Sequence, residues 1–285
     1  MNKLAWLVII VVTIIGIAGI LISRQMVRYF GLNKGILYKS RNKYGPLLVT
    51  ESHGKRCVTS GRTTFKKGCM LLKEPNKVLF RCLKSFLSTL LLNPNPKRVL
   101  MVGLGTGTVP KALQILTPKT RVTSVEINAE FSLISRKYFG YIPSEMHDII
   151  IEDGVEYIKN SSNGFYDIIM IDAFDSASCP PDTFVSENFM SSAKKALTKN
   201  GIIVMNTLTV CKTYTLIPLL FQKVFGQYHR LETSMRNRVF IAKNGRWPTY
   251  DEIKATSKNW TERMATVGMN ASDLAFSYKN SPNAK

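Results

Sequence analysis

The stretch Arg98–Thr108, RVLMVGLGTGT, is a short apolar strand that runs straight into three glycines at alternate positions, Gly103, Gly105 and Gly107. Val99, Leu100, Met101 and Val102 are apolar on both faces, the pattern of a buried strand in a parallel sheet. Glycines directly after such a strand let the backbone turn sharply and let a ligand lie against the main chain. Taken alone, the same turn also fits a helix that merely packs closely on a strand.

Three further apolar runs end in acids. Val122–Glu126 (VTSVE) places a carboxylate nineteen residues past Gly107, where a ribose diol sits in a doubly wound sheet. Asp148–Asp153 (DIIIED) is followed by Gly154, and Tyr166–Asp172 (YDIIMID) is followed three residues later by Asp175. In doubly wound α/β sheets ligands bind beyond the carboxyl ends of the strands, so Glu126, Asp153 and Asp172 are expected to converge on one crevice. Each acid also has a plainer reading. Glu126 fits an ordinary strand-end acid, Asp153–Gly154 a helix-capping turn, and Asp172 with Asp175 loop solvation.

The surrounding pattern alternates strand and helix. Helices are expected near 109–116, 129–139, 187–197 and 215–224, and strands at 202–206, 228–231 and 239–243. Lys77–Leu92 carries helical spacing closed by Asn93-Pro94-Asn95-Pro96. Leu47–Glu51 and Arg56–Ser60 flank Ser52-His53-Gly54-Lys55 and read as a hairpin ahead of the sheet. Boundaries follow: an anchor at 1–23, a basic linker at 24–44, the hairpin region at 45–76, a Rossmann-like domain at 77–245 and a polar helical tail, frayed at its end, at 246–285.

The net charge of +20 is unevenly placed. Residues 1–98 hold 18 Lys and Arg against Glu51 and Glu74, a balance of +16, which leaves +4 for the rest. The chain opens with Leu4–Ile22, nineteen uncharged residues and close to the roughly 20 that span a bilayer as a helix. The run exceeds the usual signal-peptide core of about 7–15 residues, so an uncleaved single-pass anchor is expected. Basic residues gather after it, from Arg24 to Lys43, which places the folded part on the cytosolic side and offers a flank for anionic headgroups. A nucleic-acid partner is not expected, because no stacking motif accompanies the charge. Cys57, Cys69, Cys82, Cys179 and Cys211 lack C-x-x-C spacing and read as free thiols in a reducing compartment. A luminal domain would instead carry glycans at the sequons of Asn160, Asn259 and Asn270. Cys179 reads as a structural thiol rather than a nucleophile, and His53, His147 and His229, scattered singly, receive no role.

Taken together, VLMVGLGTGTVPKAL, TSVEIN, IEDGVEYI and YDIIMIDAFDS resemble class I S-adenosylmethionine-dependent transferases, in the branch shared by spermidine synthases and their methyltransferase relatives. Residues 45–243 fit that layout, about 70% of the chain. Ser178–Phe189 (SCPPDTFVSENF) is similar to the spermidine-synthase-like half of the eukaryotic methyltransferases that modify translation elongation factor one alpha. The resemblance implies an α/β fold with a doubly wound, Rossmann-like seven-stranded sheet, the class I methyltransferase fold. It implies S-adenosylmethionine as cofactor, with Gly103, Gly105 and Gly107 at its methionine portion, Glu126 at the ribose hydroxyls and Asp153–Gly154 at the adenine amine. It also implies Asp172 and Asp175 as catalytic acids, no metal, and a homodimer.

Spermidine synthases carry an aspartate in the glycine turn that grips the aminopropyl ammonium, and this chain has Thr106 there. A neutral hydroxyl does not replace that ion pair, since a charge-assisted bond is roughly twice as strong as a neutral one. The expectation is therefore a membrane-anchored methyltransferase acting on an amine of a protein. The D-x-x-D spacing of Asp172 and Asp175 keeps an aminopropyltransferase of polyamine synthesis open, and a catalytically silent cofactor-binding scaffold stands beside both. A nicotinamide dehydrogenase is disfavoured because Thr108 breaks G-x-G-x-x-G.

Overall fold

The computed structural model describes residue 6 and residues 12–22, 35–60, 66–175, 178–279 and 283–284. Residues 12–22 are helical, and Val12, Ile14, Ile15, Ile17, Ile20, Leu21 and Ile22 are exposed. No helix among the described residues is long and apolar enough to cross a membrane. The rest of the expected anchor and residues 24–34 of the basic linker lie outside the described residues.

The glycine-turn strand β5 (Arg98–Val102) lies in the middle of the main sheet. It pairs in parallel with β6 (Arg121–Glu126) on one side and β8 (Tyr166–Ile171) on the other. Beyond β6 lies β7 (His147–Ile151) and beyond β8 lies β9 (Leu197–Leu208), both parallel. Antiparallel strands β11 (Asn237–Lys243) and β10 (Tyr228–Glu232) complete seven. An eighth piece, β12 (Asn283–Ala284), pairs with β10 where a frayed end was expected. The chain passes from β5 outward to β7 and returns to the other side of β5, so the strand order reverses between β5 and β8. That reversal opens a crevice at their carboxyl ends.

Both faces of β5 are covered, as its sequence demands. Val99 and Met101 pack in one cluster with α2 (Thr108–Leu116), α1 (Arg81–Leu87) and the two C-terminal helices. Leu100 and Val102 pack in the other, with α5 (Glu187–Ala196) and α6 (Leu216–Phe225). Each such side chain, fully buried, contributes about 1.5–3 kcal/mol. The expected polar tail is part of this core. In α7 (Tyr250–Ala265), Ile253, Trp260 and Met264 form one buried stripe, and α8 (Ala271–Lys279) buries Ala271, Ala275 and Tyr278. The exposed remainder of α7 is charged, which hides that stripe from a composition-based reading. The helix expected at Lys77–Leu92 is confined to α1 and the 3-10 turn Ser88–Leu91.

The N-terminal hairpin is half of a four-stranded antiparallel sheet: β1 (Gly35–Asn42), β2 (Gly45–Ser52), β3 (Lys55–Thr59) and β4 (Lys66–Leu71). Residues 35–42, read as linker, are thus a strand. This sheet docks on α3 (Ala129–Phe139) through Leu47, Val49 and Val58 against Phe131, Ile134 and Phe139. Arg56 donates to the Tyr138 carbonyl at 2.6 Å, and Ser40 donates to Glu130.

The cysteines correct the free-thiol reading. Cys57 and Cys69 are direct cross-strand partners of β3 and β4 and form one disulfide, while Cys179 and Cys211 form another. Cys82 is the free cysteine among the described residues. Strand register, which no C-x-x-C rule reports, brings the first pair together.

Candidate active site

The crevice is assembled by the backbone before any side chain enters it. Gly103 turns at φ +90°, its N–H donating to the Val125 carbonyl at 2.8 Å. A Cβ on it would lie 2.5 Å from the Asp172 carbonyl oxygen, so only glycine lets the ends of β5 and β8 meet. Gly107 closes the turn at φ +72° and begins α2. Gly154 has Val102 within 2.3 Å of a hypothetical Cβ, which fixes the start of α4 (Gly154–Lys159) close to β5.

Glu126 stands at the end of β6, 7% exposed. Its Oε2 accepts from Leu104 N–H at 2.9 Å and its Oε1 from Asn128 N–H at 2.9 Å. Burial raises its pKa, and backbone N–H donors and Lys67 oppose the rise. The carboxylate thereby ties the glycine turn to the loop before α3. Remaining lone pairs on both oxygens are suited to hydroxyl donors.

Asp172 follows β8 and is anchored by its own N–H to the Val102 carbonyl at 2.9 Å. Its Oδ1 accepts from Asn206 Nδ2 at 2.9 Å. Burial raises its pKa, with Asn206 and then Lys67 opposing. A carboxylate held above its usual range is a better proton acceptor near neutrality. Asp175 is exposed and organises its own loop: its N–H donates to the Cys179 carbonyl at 2.9 Å and its Oδ1 accepts from Cys179 N–H at 3.1 Å. The Cys179–Cys211 disulfide joins that loop to the segment after β9, which covalently fixes the rim.

Asp153 takes the helix-capping reading. Its Oδ1 accepts from Val155 N–H at 2.7 Å and Glu156 N–H at 3.4 Å at the start of α4. Glu126, Asp175 and Asp172 all attract the Lys67 ammonium electrostatically.

Three residues of the crevice escaped the sequence reading. Asn206 ends the apolar run of β9 as Glu126 ends β6, so the strand-end rule was sufficient to find it. Cys82, at the start of α1, lies beside Asp172 and Asn206, and burial first and Asp172 second push its thiol up to about 12. Lys67 carries no motif. Among the described residues no group of three or more His, Cys, Asp or Glu side chains is placed to share a metal ion. Two open grooves lined by Lys194, Lys199 and Arg246 lie at the amino ends of the parallel strands, away from these acids.

The family model of the spermine/spermidine synthase domain matches residues 87–228. A polyamine aminopropyltransferase of Vibrio vulnificus is 30% identical over 217 residues, covering 73% of this chain and 71% of that protein. The chain belongs to the spermine/spermidine synthase family. Within this family's wider kinship, the human eEF1A lysine and N-terminal methyltransferase is 34% identical over 139 residues, 43% of this chain and 20% of that larger protein. Two solved structures share the fold of the family. A probable spermidine synthase from Corynebacterium glutamicum superposes with a TM-score of 0.67 at 15% identity, covering 82% of this chain and 89% of that one. Human Methyltransferase-like protein 13 in complex with SAH superposes with a TM-score of 0.59 at 23% identity, covering 66% and 93%.

Proposed function

We propose that this member of the spermine/spermidine synthase family is an S-adenosylmethionine-dependent methyltransferase whose acceptor is an amine of a protein. The carrying observation is Thr106. The glycine turn holds a buried threonine, its hydroxyl 2.9 Å from that of Thr108, where an aminopropyltransferase needs a carboxylate for the aminopropyl ammonium. The relatives include both aminopropyltransferases and methyltransferases, so the decision falls on such positions rather than on overall similarity.

The crevice fits the cofactor by the chemistry of its walls. Gly105 leaves open space in front of the turn, its hypothetical Cβ meeting only the Lys67 carbonyl at 4.0 Å. On this reading Glu126 supplies acceptors for the ribose hydroxyls, and the Asp153–Gly154 corner, with Asp153 Oδ1 engaged as a helix cap, would meet the adenine amine. When bound, the sulfonium supplies an electrophilic methyl group. The protein's own contribution is to hold and deprotonate the acceptor. Asp172, raised by burial and oriented by Asn206, takes a proton from an ammonium, and the fixed loop of Asp175 borders the entry.

Aminopropyl transfer is the second reading, favoured by the retained Asp172/Asp175 pair and by the 30% identity to the Vibrio enzyme. Titration calorimetry of the full chain with S-adenosylmethionine and its decarboxylated form separates the two. Tighter binding of the intact cofactor is expected, and preference for the decarboxylated form overturns the methyl-transfer reading. Binding of the intact form without methylation of any amine acceptor would instead mark a silent scaffold.

Membrane attachment through residues 4–22 belongs to the same proposal, as does homodimer formation. Disulfides persist in oxidising compartments, which sets Cys57–Cys69 and Cys179–Cys211 against the cytosolic orientation implied by the basic flank. Asn160, Asn259 and Asn270 are all exposed, so glycan attachment in a secretory-pathway host decides the side.

A further inference from the structure

We infer that Lys67 is the cofactor-specificity residue of this crevice, its ammonium reading the α-carboxylate of an intact methionine tail so that the carboxylated sulfonium is preferred to the decarboxylated one. The inference rests on the methyl-transfer reading and names the residue that enforces it.

Four observations carry it. First, Lys67 is a β-bulge. Val58 of β3 pairs with Gly68 and the next residue, Thr59, pairs with Lys66, which leaves Lys67 without a register partner. Bulges re-aim side chains and are over-represented beside active sites.

Second, the bulge is pressed onto the glycine turn. A Cβ on Gly68 would lie 2.4 Å from Thr106 Cγ2, and the Lys67 carbonyl is the nearest atom to a Cβ on Gly105. The lysine therefore sits beside Thr106, the position that faces the cofactor's tail. Third, its ammonium lies within electrostatic reach of Glu126, Asp175 and Asp172, so it shares their volume.

Fourth, the ammonium is uncommitted. Among the described residues, Lys67 makes no hydrogen bond or ion pair through its side chain, although it is partly buried and desolvation lowers its pKa. A ligand carboxylate beside this partly desolvated ammonium would form a charge-assisted pair with it. The acids of the crevice offset its charge through longer-range attraction rather than through direct ion pairs.

Charge at the tail end is thus reversed relative to an aminopropyl site. An aminopropyl tail ends in a lone ammonium, which an anion grips and a lysine repels. An intact methionine tail adds a carboxylate, the one group that separates the two cofactors. At this spot the chain has exchanged a would-be anion for Thr106 and brought a cation to it from another sheet. The step is recognition only; no bond is made or broken.

The test measures affinities of wild type, Lys67→Met and Lys67→Arg, as full chains, for three ligands. These are S-adenosylmethionine, decarboxylated S-adenosylmethionine and 5′-methylthioadenosine, which lacks the amino-acid end. Hydrogen bonds to charged groups predict that K67M loses about 10- to 100-fold in affinity for the intact cofactor. The variant should keep 5′-methylthioadenosine within about twofold, which also reports a folded pocket, and K67R should retain most of the preference. An equal loss for all three ligands, or an unchanged ratio of intact to decarboxylated binding in K67M, overturns the role of Lys67 while leaving methyl transfer standing. A wild type that itself prefers the decarboxylated cofactor overturns both. If K67M does not fold, the intact-to-decarboxylated ratio of Lys67→Gln decides on the same criteria.

Discussion

The crevice has two walls of different origin. One is the parallel sheet, where Gly103 follows β5, Glu126 ends β6 and Asp172 follows β8; the other is the antiparallel N-terminal sheet, which contributes Lys67 and Gly68. In the first, chemistry follows chain order, because each polar residue stops an apolar run and parallel strands stop together. In the second, chemistry depends on a register slip and on docking against α3, neither of which leaves a periodic trace. The first wall supplies acids suited to an amine and a ribose, features shared by both transfer reactions. The proposed discrimination draws on both: Thr106 in the glycine turn of the first wall, and Lys67 brought beside it by the second.

The largest effect should come from the sheet wall. Asp172→Asn removes the proton acceptor but keeps a partner for Asn206, and turnover with an amine acceptor should fall by about 10²- to 10⁴-fold. Cofactor affinity by calorimetry should change little. Undiminished turnover would mean that the sheet wall binds but does not act.

Gly103→Ala attacks the same wall through its backbone. A Cβ at φ +90° facing the Asp172 carbonyl at 2.5 Å should destabilise the fold by about 1–3 kcal/mol in denaturant titration and weaken cofactor binding. Gly45, at φ +102° with nothing near its hypothetical Cβ, is the control: its Ala variant bears only the backbone cost and leaves cofactor affinity intact.

The smallest effect separates fold from site. Both ring nitrogens of His147 and Nδ1 of His229 are buried without a hydrogen-bond partner among the described residues, and burial lowers each histidine to about 4. Their folded-state values lie below the unfolded value of about 6.5, so the unfolded chain binds more protons between the two. Stability should hold above pH ~6.5 and decline as the pH falls towards 4. Thermal unfolding across that window should show the slope, and replacing both histidines with Gln should flatten it. His229 sits between Trp247 and Tyr278 on the far strands of the sheet, so the double Gln replacement should leave the cofactor preference at pH 7 unchanged.

Much of the sheet was legible because its strands are apolar on both faces and punctuated by glycine or acid. The elements that escaped are those whose burial is one-sided or mediated by partners. β1, GILYKSRN, is basic and largely exposed, so it read as linker. Strand β9 runs from Leu197, well before the apolar run at Ile202 that revealed it, because Leu197 opposes Tyr166 of β8. The stripe of Ile253, Trp260 and Met264 was diluted by the charged face of α7. Asp153 illustrates the limit for site residues. An Asp-Gly pair after a strand fits a ligand corner and a helix cap equally well on sequence, and the cap is what its Oδ1 makes. The disulfides needed three-dimensional neighbours, since 12 and 32 residues separate their partners.

The covalent tie between Cys179 and Cys211 staples the chain near Asp175 to the stretch after β9. On the proposed reading, an acceptor meeting this stapled edge would present a slender, protruding group, such as a chain terminus or a long lysine arm, threaded in rather than engulfed.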